Sequence, residues 1–328
     1  MSDSASDPSI LLRRALDQVA DTRPAAQIAA SVERLITRYR AGGAATAPIL
    51  RDPVDALAYA LYRMPSTYAA VTAALGQASL RWVPAGPGVR TVLDLGGGTG
   101  GAAWAATRVW PQARVQVVDQ VQGCLDLGRQ LAGDDAPISF GSWRLGEALR
   151  DPADVVTVSY VLSELTERQQ REIVDQALKL ARMAVLVIEP GTPDGYARVL
   201  GARDRLLAQG WTVVAPCPHQ GACPLAGSDW CHFAARVDRS AVHRRLKQGS
   251  LGHEDEKFSY VFAVQPGQPV PGDPAPRVIR HPVKRKGLVD LQLCRPDATV
   301  GRAVVTKRQG TTYKQARSVS WGDSYTTP

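Results

Sequence analysis

A run of glycines placed where a strand must turn into a helix limits the fold of this 328-residue chain more than any other feature. Residues 92–101 read VLDLGGGTGG, an apolar strand-like run followed by a glycine turn, and a helical, Ala-rich stretch opens at Ala102. Glycine lets a backbone turn sharply and approach a ligand without a Cβ clash. The same alternation continues downstream. Strand-like runs at 91–95, 114–119, 138–140, 154–159 and 184–189 are separated by helical stretches, including 167–182. That order predicts an α/β class, a doubly wound parallel sheet with its ligand crevice at the carboxyl ends of the strands.

Two fingerprints fit the glycine turn. Gly96, Gly98 and Gly101 satisfy GxGxxG for a dinucleotide, whereas Asp94 with Gly96, Gly98 and Gly100 satisfies the DxGxGxG of class I S-adenosylmethionine-dependent methyltransferases. Asp94 favours the second: a carboxylate at the end of the first strand attracts a cationic amino group and repels a pyrophosphate. Asp119 ends the next strand, where it is expected to hydrogen-bond ribose hydroxyls. S-adenosylmethionine is therefore the expected cofactor, held by Asp94, Gly96, Gly98, Gly100 and Asp119. The third strand ends Phe140-Gly141-Ser142-Trp143, without the acid that often meets an adenine amine, and Trp143 is a candidate to pack on that ring.

The catalytic signal is thin, as methyl transfer from a sulfonium mainly needs an aligned and desolvated nucleophile. Residues 159–164, SYVLSE, follow the fourth strand and lack an N/D-P-P-Y box. Glu189, after the fifth strand, is expected to face the crevice as a base, with helix capping as the competing role.

A second feature lies at 215–233, APCPHQGACPLAGSDWCHF, with Cys217, Cys223 and Cys231 among several Pro and Gly residues. Such a run cannot be a regular helix or a central strand, so its order must come from something other than a backbone ladder, and a metal centre would supply it. Cys294 lies in a later strand-like stretch, 288–294, and Cys124 follows Asp119. Buried inert thiols and disulfides are the competing readings. The spacing C-x5-C-x7-C with a remote fourth Cys leaves zinc and an iron–sulfur cluster both open.

The segments APCPH, CPL and DWCHF, followed by Arg236, Arg239, Ser240, His243-Arg244 and the run EDEKFSY from Glu254 to Tyr260, resemble the mitochondrial small-ribosomal-subunit assembly methyltransferase-like family and its bacterial relatives. The resemblance extends from about Tyr59 to Trp321. It implies a [4Fe-4S] cluster on Cys217, Cys223, Cys231 and Cys294, with zinc as the alternative, in a protein that binds small-subunit ribosomal RNA. It leaves His219 and His232 outside the ligand set, as hydrogen-bonding neighbours. Both an rRNA methyltransferase and a non-catalytic assembly factor fit this pattern.

Charge agrees with a nucleic-acid partner. From Arg236 onward there are 17 Lys+Arg against 8 Asp+Glu, while the first 235 residues carry 22 against 23. Three basic groups stand out: Arg236 to Lys247, Arg277 to Lys286 and Arg302 to Arg317, with Tyr313, Trp321 and Tyr325 as candidate stacking faces. The partner expected is the small ribosomal subunit and its rRNA, with no DNA. No apolar run approaches a membrane span. The Ser-rich N-terminus with Asp3 and Asp7 argues against a transit peptide and for a cytoplasmic protein.

The expected organisation is a helical cap over residues 1–85, a cofactor domain over 86–260 carrying the insert 215–233, and a basic, small β-barrel-like domain over 261–328. Helices are expected within 10–40, and over 53–80 with a break at Pro65; β runs are expected at 261–264, 277–279, 288–293, 303–307 and 312–316.

Overall fold

A computed structural model describes residues 7–41, 50, 52–84, 86–134, 136–239 and 252–325. Its first sheet has the order β3-β2-β1-β4-β5-β8-β6, with β7 also paired to β8. The strands are β1 (Thr91–Leu95), β2 (Arg114–Asp119), β3 (Ile138–Ser142), β4 (Ala153–Ser159), β5 (Ala181–Pro190), β6 (Thr212–Ala215), β7 (Phe233–Asp238) and β8 (His253–Val264). The pairs formed among β1 to β5 are parallel, and β8 runs antiparallel to β5, β6 and β7. All seven residues of β4 are buried, as expected of a parallel strand covered on both faces. The order reverses between β1 and β4, which places the crevice at their carboxyl ends.

Helices α4 (Gly101–Val109), α5 (Gln122–Ala132), α6 (Glu167–Leu180) and α7 (Pro193–Ala208) connect these strands. Sequence chemistry sets their ends. Thr166 and Gln169 close a reciprocal capping box on α6, and Thr192 caps α7 just before Pro193. Helices α1 (Pro8–Ala20), α2 (Ala25–Ala41) and α3 (Pro53–Ser79) precede the sheet.

The break expected at Pro65 is absent, and α3 runs unbroken for 27 residues. Proline removes one hydrogen bond and costs about 3 kcal/mol inside a helix. Burial on either side outweighs that: Leu57, Leu61, Met64, Val71 and Leu75 are all buried, and α3 packs on α2, α4 and α5 as well as on β7 and β8.

Two late assignments also change. Residues 261–264 end β8 and belong to the first sheet, and the second sheet begins at Arg277. It comprises β9 (Arg277–Val278), β10 (Val283–Arg285), β11 (Leu288–Cys294) and β12 (Val300–Thr306), ordered β10-β11-β12 with β9 on β11. This sheet is open and antiparallel, without barrel closure among the described strands. Residues 312–316 lie in α8 (Thr311–Ser318), which buries Ala316 against the second sheet's small core of Val278, Val289, Leu291, Leu293, Val305 and Tyr325.

Candidate cofactor cavity and cysteine loop

The glycine turn works because its backbone conformations exclude most side chains. Gly98 has φ +55° with open space where a Cβ would project, and a Cβ on Gly97 would lie 2.2 Å from Asp94 Oδ2. Gly97 was not singled out from the sequence, although its close approach to Asp94 is the tightest in the turn. The loop is tied to β2, with Gly96 N–H donating to Val118 O at 2.8 Å.

Beyond it lies a cavity of about 610 Å³ lined by Asp94, Gly96, Gly97, Gly98, Asp119 and Trp143, and on its other side by Tyr59, Tyr160 and Glu164. The structure thus brings Asp94, Gly96, Gly98 and Asp119 together; Gly100 is the N-cap of α4, packed near Phe140. Trp143 lies in the wall, its Nε1 donating to Glu147 O at 3.1 Å.

Asp94 is fully buried. Oδ1 accepts from Thr157 Oγ1 at 2.6 Å and Oδ2 has no partner among the described residues. Burial lifts its pKa to about 7, with Thr157 pulling the other way and Asp119 adding repulsion. Asp119 Oδ2 accepts from Gly98 N–H at 2.9 Å and Oδ1 from Val121 N–H at 2.8 Å, while burial raises its pKa. An unpartnered buried carboxylate oxygen beneath the glycine turn, on a residue that lines the cavity, suits a cationic amino group, and a second carboxylate at the end of β2 suits hydroxyl donors. The residues present therefore fit S-adenosylmethionine.

Glu189 does not line this cavity. It is fully buried, its Oε1 accepts from Leu162 N–H at 2.9 Å, and Arg198 Nη1 lies 3.9 Å from Oε2. That is the geometry of a cap on the 3-10 turn Leu162–Glu164, and burial raises its pKa to about 7. On that side Tyr160 lines the crevice. Tyr160 takes φ +58°, a strained value for a non-glycine residue. Its hydroxyl donates to Glu256 Oε1 at 3.3 Å, and Glu256 also takes two hydrogen bonds from Arg63, at 2.9 and 3.2 Å. Positive φ cannot be read from a tyrosine's identity, and Arg63 and Glu256 are 193 positions apart.

The loop 216–232 bridges β6 and β7, which pair with successive parts of β8. Much of its order comes from side chains bonding the backbone. Gln220 pairs with both N–H and C=O of Val213 at 2.8 Å, Ser259 Oγ donates to Cys231 O at 2.7 Å, and Trp230 Nε1 donates to Gly191 O at 3.0 Å. Order in this loop thus has sources besides any metal.

Cys223, Cys231 and Cys294 pack in one apolar cluster with Leu225 and Ile279, Cys217 packs beside the adjoining core, and Tyr196 donates its hydroxyl to Cys223 Sγ at 3.1 Å. Burial and the neighbouring thiols raise the pKa of Cys217 and Cys231, and that of Cys294 to about 12. Among the described residues no group of three or more His, Cys, Asp or Glu side chains has the spacing of a single-ion site. Zinc thiolate geometry, with sulfurs roughly 4 Å apart, is therefore not preformed. Three thiols in one apolar cluster and a fourth beside the adjoining core are, by the chemistry of their sulfurs, a suitable donor set for a larger sulfur-ligated group. His219 and His232 point their Nδ1 atoms at the carbonyls of Gly221 and Trp230, and Cys124 lies apart, lining the cofactor cavity.

The basic third divides. His243, Arg244, Arg245 and Lys247 lie outside the described residues. Arg236 pairs with Asp255, Arg239 with Glu254, Arg280 with Asp229 and Arg302 with Asp290, while Arg277 is buried. Lys284, Lys286, Lys307 and Arg308 are exposed, without an ion pair among the described residues. The register Arg285↔Leu288↔Thr306 and the Lys307 N–H to Gly287 O bond bring these four to one end of the second sheet. Tyr325 is buried and Trp321 packs on Phe233, His232 and His281, so neither offers a free stacking face.

The architecture is the class I methyltransferase fold: an α/β sheet with one antiparallel strand inserted beside β5 and a glycine turn after β1. The description "Mitochondrial small ribosomal subunit Rsm22" matches residues 53–326, and the chain belongs to that family. It is 32% identical over 289 residues to the human "Ribosome assembly protein METTL17, mitochondrial", covering 81% of this chain and 61% of that protein. It is 25% identical over 332 residues to the "Rsm22-cox11 tandem protein 2, mitochondrial" of Schizosaccharomyces pombe, covering 84% of this chain and 43% of the relative. The chain thus spans less than two thirds of the length of these relatives. Among solved structures, an O-methyltransferase family protein from Burkholderia thailandensis aligns with 19% identity and a TM-score of 0.42, covering 66% of this chain and 60% of its own. The cytoplasmic placement expected from the N-terminus is corrected here, because the family and both relatives carry mitochondrial names. Two acidic residues near Met1 are a weak guide to compartment.

Proposed function

We propose that this chain is an S-adenosylmethionine-dependent methyltransferase-like protein that acts on small-subunit ribosomal RNA during ribosome assembly and carries a [4Fe-4S] centre on Cys217, Cys223, Cys231 and Cys294. The observation that carries the cofactor assignment is the unpartnered Asp94 Oδ2 beneath the glycine turn, in a cavity of about 610 Å³ that Asp119 also lines. In this reading Asp94 takes the amino group, Asp119 takes hydroxyls, and Gly98 leaves room for the ligand's approach. The cofactor supplies an electrophilic methyl group, and the cavity walls exclude water and hold the acceptor in line.

The RNA assignment rests on the family and on the basic end of the second sheet formed by Lys284, Lys286, Lys307 and Arg308. Cluster binding rests on the donor set: three thiols from the first sheet's loop and one from the last residue of β11. A non-catalytic assembly factor is the second reading, favoured by the position of Glu189, which caps a turn and leaves the cavity without that base.

Titrating S-adenosylmethionine into the protein and then measuring S-adenosylhomocysteine release on immature small subunits separates the two. Binding with release supports the enzyme, binding without release supports the assembly factor, and absence of binding contradicts the cofactor assignment common to both.

A further inference from the structure

Two arginines beside the cysteine loop have left solvent without gaining a buried carboxylate. Arg203, on α7, is 3% exposed, and Arg277, the first residue of β9, is 2% exposed. Arg203 Nη2 donates to the carbonyls of Gly221 at 2.6 Å and His219 at 3.3 Å, and its Nε has no partner among the described residues. Its carboxylate partner among the described residues, Asp204, is 3.3 Å away with a side chain 64% exposed. Arg277 Nε donates to Pro216 O at 2.9 Å, and Nη1 donates to Gly322 O at 2.7 Å and to Gln77 Oε1. Among the described residues Arg277 has no carboxylate partner.

Carbonyl dipoles satisfy donors, but they do not cancel charge, and a buried guanidinium without a counter-ion is among the costliest arrangements a fold can hold. Glutamine or methionine would fill such positions at far lower cost. Groups able to become anions are close by: the Pro216 carbonyl that takes Arg277 Nε precedes Cys217, the His219 and Gly221 carbonyls that take Arg203 Nη2 lie between Cys217 and Cys223, and Arg277 is the register partner of Cys294. With neutral thiols the two buried cations would have only the exposed carboxylate of Asp204 as a counter-charge among the described residues. A [4Fe-4S] core on four thiolates is a dianion in its oxidised form, and it would be neutralised by these two side chains.

We infer that Arg203 and Arg277 are the counter-charges of an anionic centre on Cys217, Cys223, Cys231 and Cys294, one supplied from each sheet, and that they set its reduction potential. The inference rests on the four-cysteine reading above. One-electron reduction by dithionite takes the centre from dianion to trianion, with no bond or proton transferred. A nearby fixed cation stabilises the more negative state, so its removal lowers the potential.

The test is a redox titration of the anaerobically purified full chain, comparing Arg203→Gln and Arg277→Gln with Arg203→Lys and Arg277→Lys. Each Gln variant is expected to lower the ratio of reduced to oxidised centre at a fixed potential at least tenfold, equivalent to about 59 mV for one electron. Each Lys variant, which keeps the charge, should stay within about threefold of wild type. Gln variants that hold the wild-type ratio overturn the inference, as does a Lys variant that shifts tenfold or more. The Lys result decides alone if a Gln variant does not fold. A colourless wild type that binds zinc contradicts the cluster, not the counter-charge. In that case zinc release to a chelator is the readout, expected to be at least tenfold faster in the Gln than in the Lys variants, and equal rates overturn the inference.

Discussion

Asp94→Asn tests the cofactor cavity through its pH dependence. An ordinary aspartate titrates near 3.8, and burial lifts Asp94 to about 7. The folded state then holds the proton more tightly than the unfolded state. Stability from this group is present in full below the unfolded pKa and is lost as pH rises towards about 7. At about 1.4 kcal/mol per pH unit, ionised Asp94 costs on the order of 4 kcal/mol at neutral pH. Glu189, also lifted to about 7 by burial, contributes a similar slope and Asp119 adds to it, so the Asn variant should lose at most about half of the decline measured by denaturant unfolding between roughly pH 4 and 7.

Ligand binding should run the other way. A cationic amino group beside Oδ2 favours the carboxylate, so affinity should rise up to about tenfold per pH unit below 7 and then level off, with a proton released on binding. Calorimetry in buffers of different ionisation enthalpy reads both the affinity and the proton. A flat profile for the wild-type protein, or an Asn variant that binds as tightly with the same profile, would refute the pairing of this carboxylate with the ligand.

Gly98→Val should stay folded, since its Cβ meets open space, while φ +55° costs roughly 1–2 kcal/mol. Its branched side chain should abolish cofactor binding, as calorimetry can check. Glu256→Gln leaves the mostly buried Arg63 without its charge partner and should cost about 3 kcal/mol in denaturant unfolding, with much of the loss recovered in an Arg63→Met, Glu256→Gln double variant. RNA affinity should fall steeply with salt, and replacing Lys284, Lys286 and Lys307 by Ala should reduce the magnitude of the log–log slope by roughly two to three. An unchanged slope would remove this end of the sheet from the interface.

The parts of the fold that local chemistry dictates were legible in the sequence. A glycine turn between an apolar run and an Ala-rich helix can form in few ways, and β1, β2 and β4 lie where periodicity places them. The failures occur where tertiary packing overrides local preference. Pro65 sits inside α3 because burial on both sides of it outweighs one lost hydrogen bond, and residues 312–316 coil because Ala316 is needed against the second sheet. At the site, Asp94 and Asp119 were readable from their place at strand ends. The bond from Glu189 to Leu162 and the network of Arg63, Tyr160 and Glu256 join distant segments that carry no joint sequence signal. Net charge was a reliable guide to the basic third but a poor one to its free cations, because Arg236, Arg239, Arg280 and Arg302 are spent on ion pairs inside the protein.

The central claim is that one metal centre fastens the basic second sheet to the cofactor-binding sheet, with Cys294 at the end of β11 closing a set begun by Cys217, Cys223 and Cys231. Iron, sulfide and colour of the anaerobically purified chain, measured for wild type and Cys294→Ser alongside RNA and S-adenosylmethionine binding, test it most directly. The account predicts a brown wild-type protein with four irons per chain, and a Ser variant that loses iron and RNA affinity together while binding S-adenosylmethionine as before. A Ser variant that keeps both its metal and its RNA affinity would contradict it.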